Sequence, residues 1–132
     1  MAIVVPTEGE LIALKLILGA EVAEDLYLKL FVNNYTPEKG ASAANFTEPV
    51  GFGYSPFTLI KGTEWAFTAG DPSKAETAFM TFTFTGALGI VYGYWIQGSV
   101  SSIVYWCERF TNPVSVSTDG DKVIIPVIQT CE

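Results

Sequence analysis

The first periodic signal in the chain is helical. Leu11, Leu14, Ile17 and Leu18 recur at the spacing of one helix face, and Ile12 and Leu16 form a second apolar stripe beside them. Thr7 with Glu10 three residues later is a capping-box signature, Pro6 stands just ahead of it, and Gly19 is placed to end the helix in a left-handed conformation. A helix this apolar on two sides predicts burial against more than one sheet face. From Leu26 the period changes to two. Leu26, Leu28, Leu30 and Val32 alternate with Tyr27, Lys29 and Phe31, which predicts a strand with one strongly apolar face. The turn residues of Asn33-Asn34-Tyr35-Thr36-Pro37 end it, and the small, polar stretch 38–47 reads as a surface loop.

Further on the pattern stays β. Residues 50–60 are apolar but interrupted by Gly51, Gly53 and Pro56, as in an edge strand or bent crossing segment. A short strand is predicted over 64–68 around Trp65 and Phe67, followed by a turn over 69–73. Ala78, Met80, Phe82 and Phe84 alternate with Phe79, Thr81, Thr83 and Thr85, which predicts the cleanest strand in the chain. The runs 90–97 and 103–110, joined by a short Gly/Ser loop, predict a hairpin with aromatics on both faces, and hence a place between two layers. Val114–Ser117 reads as another short strand, Asp119-Gly120-Asp121 as a turn, and 122–130 as a last strand that Pro126 pushes toward an edge. A tally of roughly seven or eight short strands, with turn signals between them and one helix, predicts a single all-β domain, a jelly-roll-like β-sandwich. Residues 1–24 form its arm and helix and residues 25–132 the sandwich.

Composition sharpens this picture. The 132 residues suit one domain. They are 49% hydrophobic with a mean hydropathy of +0.34, and only 16% are charged, against about 25% in an average soluble domain. That leaves more apolar side chain than one small core needs, and subunit contacts would use the surplus. The Ile3-Val4-Val5 arm and the helix residues Leu11, Leu14, Ile17 and Leu18 are the candidate assembly interface. The net charge is −7, and the seven Lys and Arg residues are scattered. No basic stripe is present to neutralise phosphates, so direct nucleic-acid binding is not expected. No run is long and apolar enough to span a membrane, and no secretory signal is evident at the start, so synthesis in a cytoplasm is expected. Cys107 and Cys131 then read as buried thiols, a disulfide between them being the alternative.

Candidate chemistry is sparse. There is no His and only one Arg, Arg109. That removes the commonest general base, most zinc sites and a phosphate clamp. A hydrolase would need paired carboxylates from Glu48, Glu64, Glu76 and Glu108; an ion pair of Glu108 with Arg109 or Lys122 is the plainer expectation. Asp119-Gly120-Asp121 lacks the further ligands of a calcium loop. No catalytic residue, metal site or cofactor is predicted. Trp65, Tyr94, Trp95, Tyr105 and Trp106 are read as core or interface aromatics. A sugar platform is the alternative, though they cannot all belong to one, because neighbours in a strand point to opposite faces.

Four segments together carry a resemblance. They are Leu28–Pro37, Phe46-Thr47-Glu48-Pro49 with Gly53-Tyr54, Ile90-Val91-Tyr92-Gly93-Tyr94, and Val104-Tyr105-Trp106-Cys107-Glu108-Arg109-Phe110. In this order they resemble a group of small virion structural proteins of tailed bacteriophages. The resemblance implies a β-sandwich that binds the virion, with a capsid cement or decoration protein on the capsid exterior as the expected role. Its expected partners are the major capsid protein and further copies of itself, as a dimer or trimer. A tail, neck or baseplate component is the alternative within the virion, and a glycan-binding host-attachment module the alternative of another class.

Overall fold

A computed structural model describes residues 3–131, Cys131 by its backbone alone. Over these residues the chain forms one α-helix, α1 (Thr7–Ile17), and nine strands: β1 (Leu26–Phe31), β2 (Phe57–Leu59), β3 (Ala66–Thr68), β4 (Ser73–Glu76), β5 (Met80–Thr83), β6 (Gly89–Gly98), β7 (Val104–Val116), β8 (Lys122–Ile125) and β9 (Ile128–Cys131). The fold is a small all-β domain with one N-terminal helix, as the pattern predicts.

An antiparallel sheet of order β2-β1-β6-β7 lies at the centre. β1 sets Leu28 opposite Ile96 and Leu30 opposite Tyr94. The long β6–β7 hairpin confirms the two aromatic runs as neighbours, and β2 takes an edge, as the Gly51, Gly53 and Pro56 interruptions of the 50–60 stretch predict. Between Val91 and Gly93 of β6 the partner strand advances from Val114 to Arg109. The extra residues bulge outward there, and Pro113, which has no N–H to give a ladder, sits among them. Val114–Val116 therefore belongs to β7 and is not a separate strand.

A second, bent layer covers one face of this sheet. β4 pairs with β9 and β5 with β8, and β3 adds to the edge of β4. The expected single strand over 122–130 is thus two, because Pro126 interrupts it. β4 falls where no strand is predicted. At the bend the Thr77 N–H donates to the Val127 carbonyl (2.9 Å), and the Val127 N–H donates to Thr77 Oγ1 (3.2 Å). A threonine hydroxyl thus satisfies a backbone group that the broken ladder leaves over.

Both faces of the central sheet are buried. Leu28, Leu30, Val91, Tyr94 and Ile96 meet Phe82, Phe84, Val123, Ile125 and Val127 of the bent layer. On the other face Phe31, Trp95, Val104 and Cys107 meet Ala41 and Phe46 from the 33–47 segment, with Val4 from the arm. The 38–47 part of that segment, expected as a polar surface loop, instead carries a core residue: Phe46 stacks on Trp95 with ring centroids 4.8 Å apart. Gly93 leaves room within the sheet for the Phe31 ring of β1 beside the β7 backbone. A Cβ there would lie 2.2 Å from the Glu108 carbonyl and 2.6 Å from the Phe31 ring.

Candidate functional site

Helix α1 lies across β7, and its inner face is built for close approach. Gly9 rests on the strand backbone, where a Cβ would stand 2.4 Å from the Tyr105 carbonyl and 2.6 Å from that of Val104. Glu8 accepts a hydrogen bond from the Val104 N–H at 2.8 Å. Ile12, one turn on, is 5% exposed. The expected Thr7–Glu10 capping box is not formed. Thr7 is already helical, Pro6 is the cap residue, and no side chain caps the helix. The Thr7 N–H goes instead to the Lys39 carbonyl (2.9 Å), and the Glu10 carboxylate pairs with the Lys39 ammonium. Gly19 does end the helix with φ +75°.

Successive residues of a helix turn by about 100°, so a chain that rests on Gly9 and Ile12 turns Leu14 and Ile17 away. Leu11, Leu14, Ile17 and Leu18 are 53%, 57%, 79% and 80% exposed. The two-sided cover that the pattern predicts is therefore absent among the described residues: the Ile12 stripe is buried and the Leu14 stripe faces solvent. The charges bordering the outer stripe are taken up within the chain, Glu10 by Lys39 and Lys15 by Glu21 at 3.9 Å.

Val22 and Val100, 85% and 86% exposed, extend the apolar surface past the helix end. They stand at a cleft of about 490 Å³ lined also by Ile12, Ile103, Tyr105 and Lys61. Glu24 fastens this corner. Its carboxylate accepts from the Val100 and Ser101 N–H groups (both 3.0 Å), Ser101 Oγ (2.5 Å) and Tyr105 Oη (3.0 Å). Burial alone would raise its pKa, but the bonds from Ser101, Val100 and Tyr105 outweigh burial and hold it below the ordinary value. Gly98 makes room for the carboxylate, since a Cβ there would collide with Glu24 Oε1.

The predicted interface residues thus separate. The arm residues Ile3, Val4 and Val5 are half-buried. Val4 forms an antiparallel bridge with Cys107, through bonds of 2.8 and 2.9 Å that cover the edge of β7. Leu11, Leu14, Ile17 and Leu18 stand outside.

The aromatics do not form one platform. Tyr94 and Trp95 are buried on opposite faces of the sheet. Tyr94 Oη donates to Glu108 (2.9 Å) and Trp95 Nε1 to Gln97 Oε1 (2.8 Å). Tyr105 turns toward Glu24, while Trp106 packs edge-on against Trp65 with centroids 6.0 Å apart.

The candidate carboxylates are dispersed. Glu48 pairs with Lys29 at 3.0 Å and accepts from Tyr54 Oη, and Glu76 pairs with Lys74 at 3.3 Å. Glu108 takes Tyr94 as partner and not the expected Arg109 or Lys122. The guanidinium lies over the Tyr92 ring and donates to the Tyr35 carbonyl. Asp121 accepts from the Ser117 and Thr118 N–H groups, which fixes the 119–121 turn and lowers its pKa. Among the described residues no group of three or more His, Cys, Asp or Glu side chains could hold a metal ion, and no helix is long and apolar enough to cross a membrane. Cys107 is a buried free thiol whose pKa burial pushes up to about 12; the side chain of Cys131 lies outside the described residues.

Signals for Gly9 and for the Glu24–Gly98 contact are weak in the sequence. A glycine inside a helical pattern is the one mark that the backbone comes close to something there. Comparison with protein families, with curated proteins and with solved structures returned no match.

Proposed function

We propose that the chain is a non-catalytic structural subunit that acts by seating the outer face of α1 on a protein neighbour, and that the assembly it serves is a virion shell, as a cement protein. One observation carries the reading. A folded helix, held to its strand by Gly9 and Ile12, turns Leu11, Leu14, Ile17 and Leu18 outward at 53–80% exposure. Aliphatic side chains are worth about 1.5–3 kcal/mol each when fully buried, so solvent is a costly place to leave four together. Val22 and Val100, 85% and 86% exposed, add two more apolar side chains beyond the helix end, and clustered exposed apolar surface is a mark of interaction sites. A cement protein needs no reacting group. It raises the free energy of separating shell subunits through many repeated contacts.

The virion assignment draws on the resemblance of four segments to tailed-phage structural proteins. The test is a count of copies per particle. Particles from the cells that make the protein are purified on a density gradient, and the chain is quantified against the most abundant shell protein. The cement reading expects hundreds of copies, and particles depleted of the chain that break at lower temperature. A few to some dozens of copies would move it to the tail or neck, and no co-migration would overturn the virion assignment.

A further inference from the structure

We infer that the free edge of β3 receives an extended segment of a partner protein as an added strand. The segment carries apolar or hydroxyl side chains in its middle and a lysine or arginine at each end. This surface is separate from α1 and does not depend on the reading of that helix.

Backbone chemistry names the occupant as a strand. An edge strand presents a row of N–H and C=O groups, and another extended chain is what meets such a row in register. Folded proteins guard their edges, and this one guards the others. On β7, Val4 exchanges two hydrogen bonds with Cys107, and Gly9 of α1 lies against the Val104 and Tyr105 carbonyls. Beside β5, the Thr85 N–H donates to the Phe52 carbonyl (2.9 Å), and a Cβ on Gly53 would stand 3.6 Å from the Thr83 carbonyl. β2 starts directly after Pro56, β8 starts on Lys122 and stops before Pro126, and β9 lies between Pro126 and Glu132. Charges and prolines of this kind are the usual edge protection. β3 sits at the edge of its sheet, paired with β4 alone. The run 65–69 that contains it holds neither charge nor proline.

Burial points the same way. Ala66, Phe67 and Thr68 are all exposed, Phe67 at 74%. A groove of about 550 Å³ adjoins them, lined also by Ala69, Ala75 and Gln129. Phe67, Ala75 and Gln129 lie opposite one another across the three strands, so they share a face. A strand added to β3 sets every second side chain beside Phe67 on that face.

Charge selects the partner. Glu64 and Asp71 flank β3, and among the described residues neither makes an ion pair; the nearby Lys74 is taken by Glu76 at 3.3 Å. A basic residue at each end of the incoming segment complements these two acids. A second copy of β3 does not. Antiparallel pairing about Phe67 sets Glu64 of one copy opposite Gly70 of the other, next to its Asp71, and parallel pairing sets Glu64 against Glu64.

The probe is a blocked synthetic peptide with lysine at both ends and alternating valine and threonine between them. Titrated into the isotopically labelled full chain, it should shift the amide resonances of residues 65–69 and slow hydrogen exchange within Ala66–Thr68 at least about 10-fold. The same peptide with a central proline, which cannot donate to the ladder, should bind at least about 10-fold more weakly. A version with glutamate at both ends should weaken by about the same factor. Glu64→Lys combined with Asp71→Lys should reverse the preference between the lysine-ended and glutamate-ended peptides, with circular dichroism unchanged.

No shifts at 65–69 overturns the inference, as does a proline-containing peptide that binds as well as its parent. Equal binding of the lysine-ended and glutamate-ended peptides overturns the chemistry assigned to the partner. Protection of Ala66–Thr68 that grows with protein concentration, with no peptide present, makes a second copy the occupant and overturns it too.

Discussion

Strand β6 and helix α1 are both apolar on two sides, and the molecule treats them differently. β6 turns Val91, Tyr94 and Ile96 to the bent layer and Trp95 to the 33–47 segment and the arm, so the chain supplies a cover for each side. Among the described residues helix α1 has a cover for one side only: Gly9 and Ile12 are packed on β7, and Leu14 and Ile17 are exposed. Two-sided hydrophobicity is thus answered from within in one element and, among the described residues, left open on one side in the other. The open side is the surface that the proposed function assigns to a neighbour.

The sharpest way to break this comparison is to change one packed residue in each element. Trp95→Ala removes the stack on Phe46 and the bond to Gln97, and should cost about 3–5 kcal/mol in denaturant unfolding. Gly9→Val drives a branched side chain into the carbonyls of Val104 and Tyr105 and should cost about 1–3 kcal/mol while weakening the seating of the helix. Acid tests the corner where the helix rejoins the sheet. Glu24 has a folded pKa below its ordinary 4.5. Its contribution is therefore present above that value and is lost as pH falls through the lowered one. Asp121 is shifted in the same direction. Glu24→Gln should therefore flatten the acid side of the stability profile in part, leaving the portion due to Asp121. The smallest effect belongs to the outer stripe: Leu14→Ala in dilute, monomeric protein should change stability by no more than about 0.5 kcal/mol. A loss of 2 kcal/mol there would mean that the chain covers this face itself, and the comparison would collapse.

Much of the fold was legible because its signals are local. Alternation gave β1, β5 and the β6–β7 hairpin, and Gly19 marked the end of the helix. What was not legible depends on distant partners. Ser73–Glu76 has little strand character of its own and becomes β4 because β3 and β9 hydrogen-bond it from both sides. Phe46 sits among small polar residues, and the rings of Phe31, Tyr35 and Trp95 that meet it in the fold make it core. Thr7 and Glu10 fit a capping box, yet Lys39 from the following loop takes both the Thr7 N–H and the Glu10 carboxylate. For the candidate site, periodicity identified Leu11, Leu14, Ile17 and Leu18 as one stripe. It did not say which of the two stripes the chain would cover. Gly9 decides that, because its missing side chain lets the Ile12 side lie flat on β7.

Hydroxyl-radical footprinting of the chain, dilute and then concentrated or assembled, tests the central claim most directly. Leu14 and Ile17 should be labelled strongly in the dilute protein and lose most of that labelling in the associated state, with Val50, also exposed, unchanged. Equal labelling of Leu14 and Ile17 in both states would contradict the claim that this helix face exists for a protein neighbour.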